Sequence, residues 1–304
     1  MLLNPEEVSV IITTFNRKRE LGFTLNSLRN IIPLKGVFIC DDASTDGTVT
    51  FLDAEFPEVN VFAIASNQGL IANRNFLLKQ VSTEYVISID DDANFLVPDA
   101  LKEAISFMKD KNDCAVLSFR LFWGFDVPEK YNTTQVILKV KNYLGGAHLM
   151  RKSAWDGCIE SYPDWYKFYG EEDYASLRLF NSGWKIFYFP EVLVHHRVSI
   201  KNRSSTSDSL IRSRRALHAA WSNYLIFYPR ALAYKKVLYS IKEQLRIKFI
   251  KGDFKILKAL FLAAFDLKRF SDKRKELNTR LTKTEMRSYS KIPEAPIYWK
   301  VEDE

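Results

Sequence analysis

Two groups of carboxylates stand where predicted strands of this sequence end. Residues 41–42 (Asp-Asp) follow the apolar run 36–40, and residues 90–92 (Asp-Asp-Asp) follow the run 85–89. Because the carboxyl ends of strands in a doubly wound sheet face one crevice, we expect the two groups to lie close together. Clustered carboxylates suit a hard divalent cation such as Mg²⁺ or Mn²⁺, which also binds substrate phosphates. An alternative is that the first group only caps the turn ASTDGT that follows it.

A third group of acids and a pair of histidines occur later in the chain. Residues 171–173 (Glu-Glu-Asp) open a predicted helix. Their carboxylates either complement the helix dipole or supply a general base for a sugar hydroxyl. His195 and His196 end the predicted strand 192–196. They either satisfy local polar groups or provide a metal ligand.

The first 120 residues alternate strand-like and helix-like patterns. Strands are predicted at residues 8–13, 36–40, 59–64, 85–89 and 114–119. Helices are predicted at residues 18–29, 69–79 and 98–109. Nearly continuous apolar strands that alternate with helices predict an α/β fold, with a Rossmann-like, mostly parallel sheet covered by helices on both faces.

The second half of the chain has a different pattern. Residues 120–200 are rich in aromatic side chains, with a helix predicted at about 171–182 and a pair of short strands at 185–189 and 192–196. After residue 205 we predict helices, because apolar residues recur there at three- and four-residue steps with Lys and Arg on the other faces.

Charge is distributed unevenly along the chain. The 304 residues include 44 Lys and Arg against 37 Asp and Glu, a net charge of +7. Residues 201–304 hold 24 basic and 11 acidic side chains, so the first 200 residues are net acidic. The basic amphipathic tail predicts binding to an anionic membrane surface; the alternative is a solvated face on helices that pack on the rest of the chain. No recognisable nucleic-acid-binding motif accompanies the charge, so we predict no nucleic-acid partner.

Several classes of protein are disfavoured by the sequence. The longest run without a charged residue spans residues 59–73, which is shorter than the roughly 20 residues a spanning helix needs. The N-terminal residues lack a signal-peptide pattern, and the three cysteines are odd in number and far apart, so we expect a cytoplasmic protein. The turn after the first strand, TTFNRKRE, has no glycine, which argues against NAD, FAD and P-loop sites.

Four segments in succession resemble the motifs of glycosyltransferase family 2: VSVIITTFNR, VFICDDASTDGT, NQGLIANRNFLL and YVISIDDDANF. The resemblance continues through GGAHLMRKSAW and YGEEDYASLRLFNSGWKIFYFPEVLVHH, and covers about residues 8–197. Members of this family have the GT-A fold, use nucleotide-sugar donors and invert the anomeric centre. The resemblance implies a catalytic domain at residues 1–205, with a nucleotide-sugar-binding half at 1–120 and an acceptor-side half at 121–205. Residues 206–304 would form a basic amphipathic helical extension.

The resemblance also implies which residues bind the donor. They are Thr13, Thr14, Phe15, Asp42, Arg74, Asp90 and Asp91. The ring of Phe15 would stack on the nucleobase, Asp42 would accept a hydrogen bond from it, and Arg74 would reach the donor phosphates or base region.

Further roles follow from the same resemblance. Asp90 and Asp92 form a D-x-D motif, and Asp92, Asp90 and His196 would hold a divalent cation, Mn²⁺ or Mg²⁺. For the general base, the spacing of the family motif selects Glu172, whereas the residue type usual at that position selects Asp173.

Aromatic residues complete the predicted acceptor side. Trp155, Trp165 and Tyr166 would offer apolar faces to the acceptor, with simple core packing as the alternative. The predicted function is an inverting, metal-dependent glycosyltransferase of cell-surface polysaccharide or glycolipid synthesis, peripheral on the inner face of the membrane. We expect the donor to be a UDP-sugar and the acceptor a saccharide or lipid-linked saccharide. A sugar nucleotidyltransferase and a non-catalytic membrane-associated adaptor are the alternatives.

Overall fold

A computed structural model of the chain describes residues 2–127, 136–198, 209–277 and 279–297. Within these ranges, a mixed sheet of nine strands passes through the fold. The strands are β1 (Val8–Thr14), β2 (Val37–Asp41), β3 (Asn60–Ala63), β4 (Tyr85–Ile89), β5 (Ala93–Phe95), β6 (Cys114–Trp123), β7 (Leu138–Val140), β8 (Ala147–Arg151) and β9 (Lys185–His196).

Helices surround this sheet and follow it in the chain. They are α1 (Lys18–Leu28), α2 (Thr48–Glu55), α3 (Leu70–Gln80), α4 (Ala100–Asp110), α5 (Lys152–Ala154), α6 (Glu171–Asn181), α7 (Ser209–Phe227), α8 (Arg230–Gln244), α9 (Lys255–Arg269), α10 (Ser271–Glu276) and α11 (Lys283–Lys291). Within the described ranges, no helix is long and apolar enough to cross a membrane.

The strand order is β3-β2-β1-β4-β8-β6-β9-β5, and β7 pairs with β9. Among the described strands, β1–β4, β6 and β9 run in one direction, whereas β5, β7 and β8 pair antiparallel with their neighbours. The mostly parallel α/β sheet predicted from the sequence is confirmed. The three antiparallel strands were not predicted, because segments of three to five residues are too short to show a clear period.

Apolar side chains cover the sheet on both faces. Val8, Val10 and Ile12 of β1 pack in one buried cluster, and Ile11, on the opposite face, packs in a second. Since alternate residues of a strand point to opposite faces, both faces of β1 must be covered by helices or loops. This burial of both faces explains why the strands read as nearly continuous apolar runs.

The same topology brings the acidic turn to the end of β9. Asp90, Asp91 and Asp92 form the turn between β4 and β5, and the Asp90 N–H donates to the Gly146 carbonyl at 2.9 Å. Because β5 pairs antiparallel with β9, Ala93, the first residue of β5, lies opposite His196, the last residue of β9. Residues about 105 positions apart in the chain are thus held together by backbone hydrogen bonds.

The strand pair predicted at residues 185–189 and 192–196 is wrong in one respect, since β9 is one strand. Proline has no N–H to donate to a ladder, which favoured a break at Pro190. The structure keeps the strand continuous and shifts its pairing with β6, so that Phe119 lies opposite Phe189 and Arg120 opposite Leu193. A β-bulge therefore absorbs the proline.

The boundary predicted at residue 205/206 does not separate two hydrophobic cores. Ala219, Ile226 and Phe227 of α7 and Met286 of α11 belong to the same buried cluster as Ile11 of β1. Among the residues that the structure describes, Leu217 and Trp221 of α7 form a separate small cluster with Ile256, Ala259 and Ala263 of α9. Helices follow residue 205 as predicted, but the first and last of them complete the core that covers one face of the sheet.

Candidate functional site

The carboxyl ends of β1, β2 and β4 open into one cavity of about 690 Å³. Thr13, Thr14, Phe15, Asp42, Asp90, Asp91, Asp92 and His196 line this cavity, together with Arg17, Asn67, Gln68, Gly69, Leu70, Asn73, Lys167, Phe168 and Arg215. Asp42 of the first carboxylate group therefore shares this crevice with all three acids of the second, whereas Asp41 does not line it. Of the residues predicted to bind donor or metal, Arg74 alone does not line the cavity.

Three side chains form a group that could hold a metal ion. One ligand atom each from Asp90, Asp92 and His196 lie within 4.8 Å of one another. His196 Nε2 lies 2.9 Å from Asp92 Oδ1 and 3.6 Å from Asp90 Oδ2. Two carboxylate oxygens and one imidazole nitrogen on one side of an open cavity fit a divalent cation that keeps positions free for water or phosphate oxygens.

The electrostatic environments of these two carboxylates differ. Burial raises the pKa of Asp90 to about 6, against the opposing charges of His196 and Arg74. Burial also acts to raise the pKa of Asp92, but the hydrogen bond from His196 and the charges of His196 and Arg17 lower it to about 2. Asp92 is thus held as a carboxylate by cationic neighbours.

Arg17 contacts two acids of the turn and was not singled out from the sequence. Its Nη2 lies 2.5 Å from Asp92 Oδ2, and its Nε lies 3.3 Å from Asp91 Oδ1. Asp91 also accepts a hydrogen bond of 2.8 Å from the Thr14 hydroxyl, and burial raises its pKa to about 7. The sequence held one signal for Arg17, its position at the end of TTFNR, in the turn that follows β1.

Asp41 and Asp42 have different partners although they are adjacent. Asp41 accepts a hydrogen bond from the Ser44 N–H at 2.9 Å, as the capping alternative expected. Asp42 accepts from the backbone N–H groups of Gln68 and Gly69 at 2.7 and 2.9 Å. Gly69 has a φ of +93°, in the region that favours glycine, so its conformation helps to aim this loop at the carboxylate. Asp42 therefore orders one wall of the cavity.

Arg74 is buried behind the acidic turn rather than exposed to the cavity. Only 3% of its side chain is exposed, and it lies 3.5 Å from Asp90, 3.3 Å from Glu171 and 3.3 Å from Glu172. Burial alone would lower the pKa of Arg74, but these three acids raise it. Here Arg74 neutralises carboxylates, in contrast to its predicted reach toward donor phosphates. The exposed basic side chains of the cavity wall are Arg17, Lys167 and Arg215.

The three acids at the start of α6 point in different directions. Glu171 is buried, and burial raises its pKa well above the usual range. Glu172 is partly buried and contacts Arg74. The same guanidinium contacts Asp90, so Arg74 lies between the two acids. A Cβ at Gly145 would overlap the Glu172 carboxylate, so the glycine makes room for it. Asp173 is exposed.

The two histidines at the end of β9 also diverge, because successive side chains of a strand alternate between faces. His196 faces the acidic turn. His195 Nε2 lies 2.9 Å from the Gly124 carbonyl, a local polar contact.

Trp155, Trp165 and Tyr166 do not line the cavity. They are 1%, 8% and 1% exposed and belong to the second core cluster, which corrects the expectation that they face an acceptor. The Tyr166 hydroxyl donates to Asn223 of α7 at 2.7 Å, so it fastens α7 to the fold. The aromatic rings exposed at the cavity are Phe15 and Phe168. Composition marked an aromatic-rich region but did not separate its core rings from its surface rings.

Comparison with known proteins identifies the family. The family model described as Glycosyl transferase family 2 matches residues 9–160. The poly(ribitol-phosphate) beta-N-acetylglucosaminyltransferase TarS of Staphylococcus aureus is 30% identical over 128 residues, 40% of this chain and 22% of TarS. The undecaprenyl-phosphate mannosyltransferase of Micrococcus luteus is 41% identical over 66 residues, 21% of this chain and 27% of that protein. Aligned segments span between 17% and 27% of the curated relatives' lengths.

The fold also resembles solved glycosyltransferases. The crystal structure of GalNAc-T7 with UDP, GalNAc and Mn²⁺ superposes with a TM-score of 0.66 and 15% identity, over 96% of this chain and 59% of that one. At this identity the likeness concerns the fold, and it confirms the GT-A architecture that the sequence motifs implied.

Proposed function

The chain belongs to glycosyl transferase family 2, and from this premise we propose that it is a glycosyltransferase with a specific reaction. The protein transfers a sugar from a nucleoside-diphosphate sugar to an acceptor hydroxyl, with inversion of the anomeric centre and with a divalent cation. The observation that carries this proposal is the shared cavity of the Asp90–Asp92–His196 group and the donor-binding candidates at the ends of β1 and β2.

The donor occupies the cavity with its nucleobase near β1 and β2. Phe15 is 45% exposed there, so its ring is free to stack on a base, and Asp42 lies at the adjoining wall. The diphosphate then lies among the cationic side chains of Arg17, Lys167 and Arg215, which we propose in place of Arg74. We expect a UDP-sugar, in keeping with the UDP bound to GalNAc-T7.

Asp90, Asp92 and His196 are the proposed ligands of the divalent cation. Their mixed oxygen and nitrogen donors suit Mn²⁺ or Mg²⁺, and Mn²⁺ accompanies UDP in the GalNAc-T7 structure. When bound, such a cation supplies positive charge that stabilises the negative charge developing on the departing nucleoside diphosphate.

Glu172 is the proposed general base. Its carboxylate accepts the proton of the acceptor hydroxyl while the hydroxyl oxygen bonds to the anomeric carbon, and the bond from that carbon to the diphosphate oxygen breaks with its electron pair. Arg74 contacts Glu172 and Asp90 and so positions the base relative to the acidic turn. Arg74 pairs with Glu172 and not with Asp173, which favours Glu172 even though desolvation and the neighbouring charge of Glu172 raise the pKa of Asp173 to about 6.

We propose a saccharide or lipid-linked saccharide as the acceptor, in the synthesis of a cell-surface polysaccharide or glycolipid. Support comes from relatives whose names state a poly(ribitol-phosphate) and an undecaprenyl-phosphate substrate. We propose that the basic helices bind peripherally to the cytoplasmic face of the membrane that carries this acceptor.

The proposal is tested by incubating the full chain with Mn²⁺ and a panel of UDP-, GDP- and dTDP-sugars. We expect release of the nucleoside diphosphate from one donor class, with EDTA abolishing it. Asp53→Asn, on the exposed side of α2, serves as a control and should behave as the wild type. Metal-dependent release of pyrophosphate from nucleoside triphosphate and sugar phosphate would instead indicate a nucleotidyltransferase. Absence of release from every donor, with saccharide acceptors present, would overturn the proposal.

A further inference from the structure

A stripe of large apolar side chains lies on the surface around α9. Ile250, Phe254, Leu257, Phe261 and Phe265 are 75%, 65%, 47%, 71% and 56% exposed. Successive members are three or four residues apart, and a helix turns 100° per residue, so Leu257, Phe261 and Phe265 lie within one narrow arc of α9. Phe254 directly precedes the first residue of the helix. Soluble proteins seldom expose a contiguous apolar surface of this kind without a partner.

The stripe is separate from the face of α9 that packs on the protein. Ile256, Ala259 and Ala263 are fully buried and join Leu217 and Trp221 of α7 in a small core cluster. The helix therefore has two apolar faces, of which folding uses one. Removing the outer side chains would leave the packing of α7 against α9 in place.

Basic side chains surround the stripe. Residues 230–269 contain eleven Lys and Arg but only three acids, and two of these acids pair with arginines: Glu243 with Arg246 and Asp266 with Arg214, each at 2.6 Å. Lys251, Lys255 and Lys258 are exposed and interleave with the apolar residues. Apolar residues that enter a lipid interface and flanking cations that meet anionic headgroups are the two parts of interfacial binding.

We infer that the outer face of α9, with the preceding turn at residues 250–254, docks on an anionic lipid bilayer. The inference names the residues that contact the membrane partner proposed above. It rests on the proposed function only for the reason why the protein binds a membrane. Charge complementarity favours an anionic bilayer on this face, because a second copy of the same basic surface would be repelled.

The docking face is connected to the cavity through α7. Arg214 of α7 pairs with Asp266 of α9 through two hydrogen bonds of 2.6 Å, and the next residue, Arg215, lines the cavity. A bilayer bound along α9 would thus lie one helix away from the cavity. This arrangement suits an acceptor whose saccharide end projects from a lipid headgroup.

Flotation of the full chain with vesicles tests the inference. Vesicles of phosphatidylcholine containing 30% phosphatidylglycerol should carry the protein upward, and pure phosphatidylcholine should carry at least tenfold less. The triple variant Phe254→Ser, Phe261→Ser, Phe265→Ser should lose binding at least tenfold. Lys251→Gln with Lys255→Gln and Lys258→Gln should weaken it and reduce its salt sensitivity. A matched control, Phe23→Ser with Phe125→Ser, removes exposed aromatic residues elsewhere and should bind as the wild type.

Two results would overturn the inference. One is vesicle binding that neither set of variants changes. The other is a dimer, seen by sedimentation velocity without lipid, that the phenylalanine variant dissociates, because the occupant would then be a second copy. Failure of the proposed function is distinguishable, since Asp92→Asn should float normally while losing donor cleavage. The triple phenylalanine variant should cleave donor normally in solution while failing to float.

Discussion

The cavity and the outer face of α9 use charged and aromatic residues in opposite ways. In the cavity Asp91 and Asp92 are 6% and 2% exposed, and each is held by named hydrogen-bond donors. On α9 the aromatic rings are open to solvent, with Phe261 71% exposed. Buried charges act through fixed geometry, so one substitution should abolish their effect, whereas an interfacial surface acts through summed area and charge and should weaken by degrees.

The largest effect is expected for Asp92→Asn. The substitution removes a proposed metal ligand and leaves Arg17 and His196 without their shared carboxylate charge. We expect donor cleavage to fall about 10³-fold, or about 4 kcal/mol in activation free energy. Steady-state release of nucleoside diphosphate measures this loss, and titration of Mn²⁺ binding by calorimetry should show weaker affinity. Near wild-type turnover would remove Asp92 from the catalytic site.

The second expected effect separates two neighbouring acids at the start of α6. Glu172→Gln should lower the rate of transfer to an acceptor about 10²-fold, because the amide cannot accept the proton. Asp173→Asn should remain within about twofold of wild type, because Arg74, which links the base to the acidic turn, pairs with Glu172 and not with Asp173. Single-turnover transfer measures both variants. The reverse ranking would assign the base to Asp173.

A third effect concerns stability rather than rate. Arg74→Met leaves Asp90, Glu171 and Glu172 without their shared buried cation, and breaking a buried ion pair from one side costs about 3 kcal/mol or more. Urea denaturation at pH 7 measures the lost free energy of unfolding. Arg74→Lys keeps the charge and serves as the matched variant, with a smaller loss expected. Equal stability of Arg74→Met and the wild type would contradict the role of Arg74 as a structural cation.

How far the sequence predicts this molecule depends on how local the determining interactions are. The strands β1, β2 and β4 and the helices α1, α3 and α4 were predicted within a few residues, because each has a local apolar pattern. Helix α2 was missed, since its eight residues follow a turn sequence rich in Asp and Gly. The mostly parallel fold and its family were recognisable because four motifs keep their order.

The site was only partly predictable. The position of acids at strand ends follows from the topology of parallel sheets, and the cavity indeed collects them. Which cations accompany them does not follow, because Arg215 reaches the cavity through the packing of α7, far along the chain. Likewise, the burial of Arg74 and Trp165 depends on tertiary contacts that no local period encodes. The roles of the individual site residues stay predictions until the variants above are measured.

The smallest expected effect lies where the two regions meet, at His218 of α7. Its ring is buried against Trp165 and Phe270, with ring centroids 5.3 and 5.5 Å away. Burial lowers its pKa to about 4, and Arg274 and Arg214 act in the same direction while Asp266 opposes them. The unfolded chain, with an ordinary histidine pKa of about 6.5, therefore binds more protons than the folded chain between pH 4 and 6.5.

The free energy of unfolding is not reduced by His218 above pH 6.5, where its ring is neutral in both states. It decreases as the pH falls from 6.5 toward 4, because the unfolded chain then binds the proton more readily. Between pH 7 and pH 5 the loss amounts to about 2 kcal/mol at most. His218→Phe keeps a ring among the same aromatic neighbours but cannot bind a proton. The difference in unfolding free energy between pH 7 and pH 5, measured by urea denaturation, should therefore become about 2 kcal/mol smaller in the variant. An unchanged difference would mean that His218 is already protonated or solvated in the folded chain. The packing of α7 on the catalytic region, which carries Arg215 to the cavity, would then be looser than these contacts indicate.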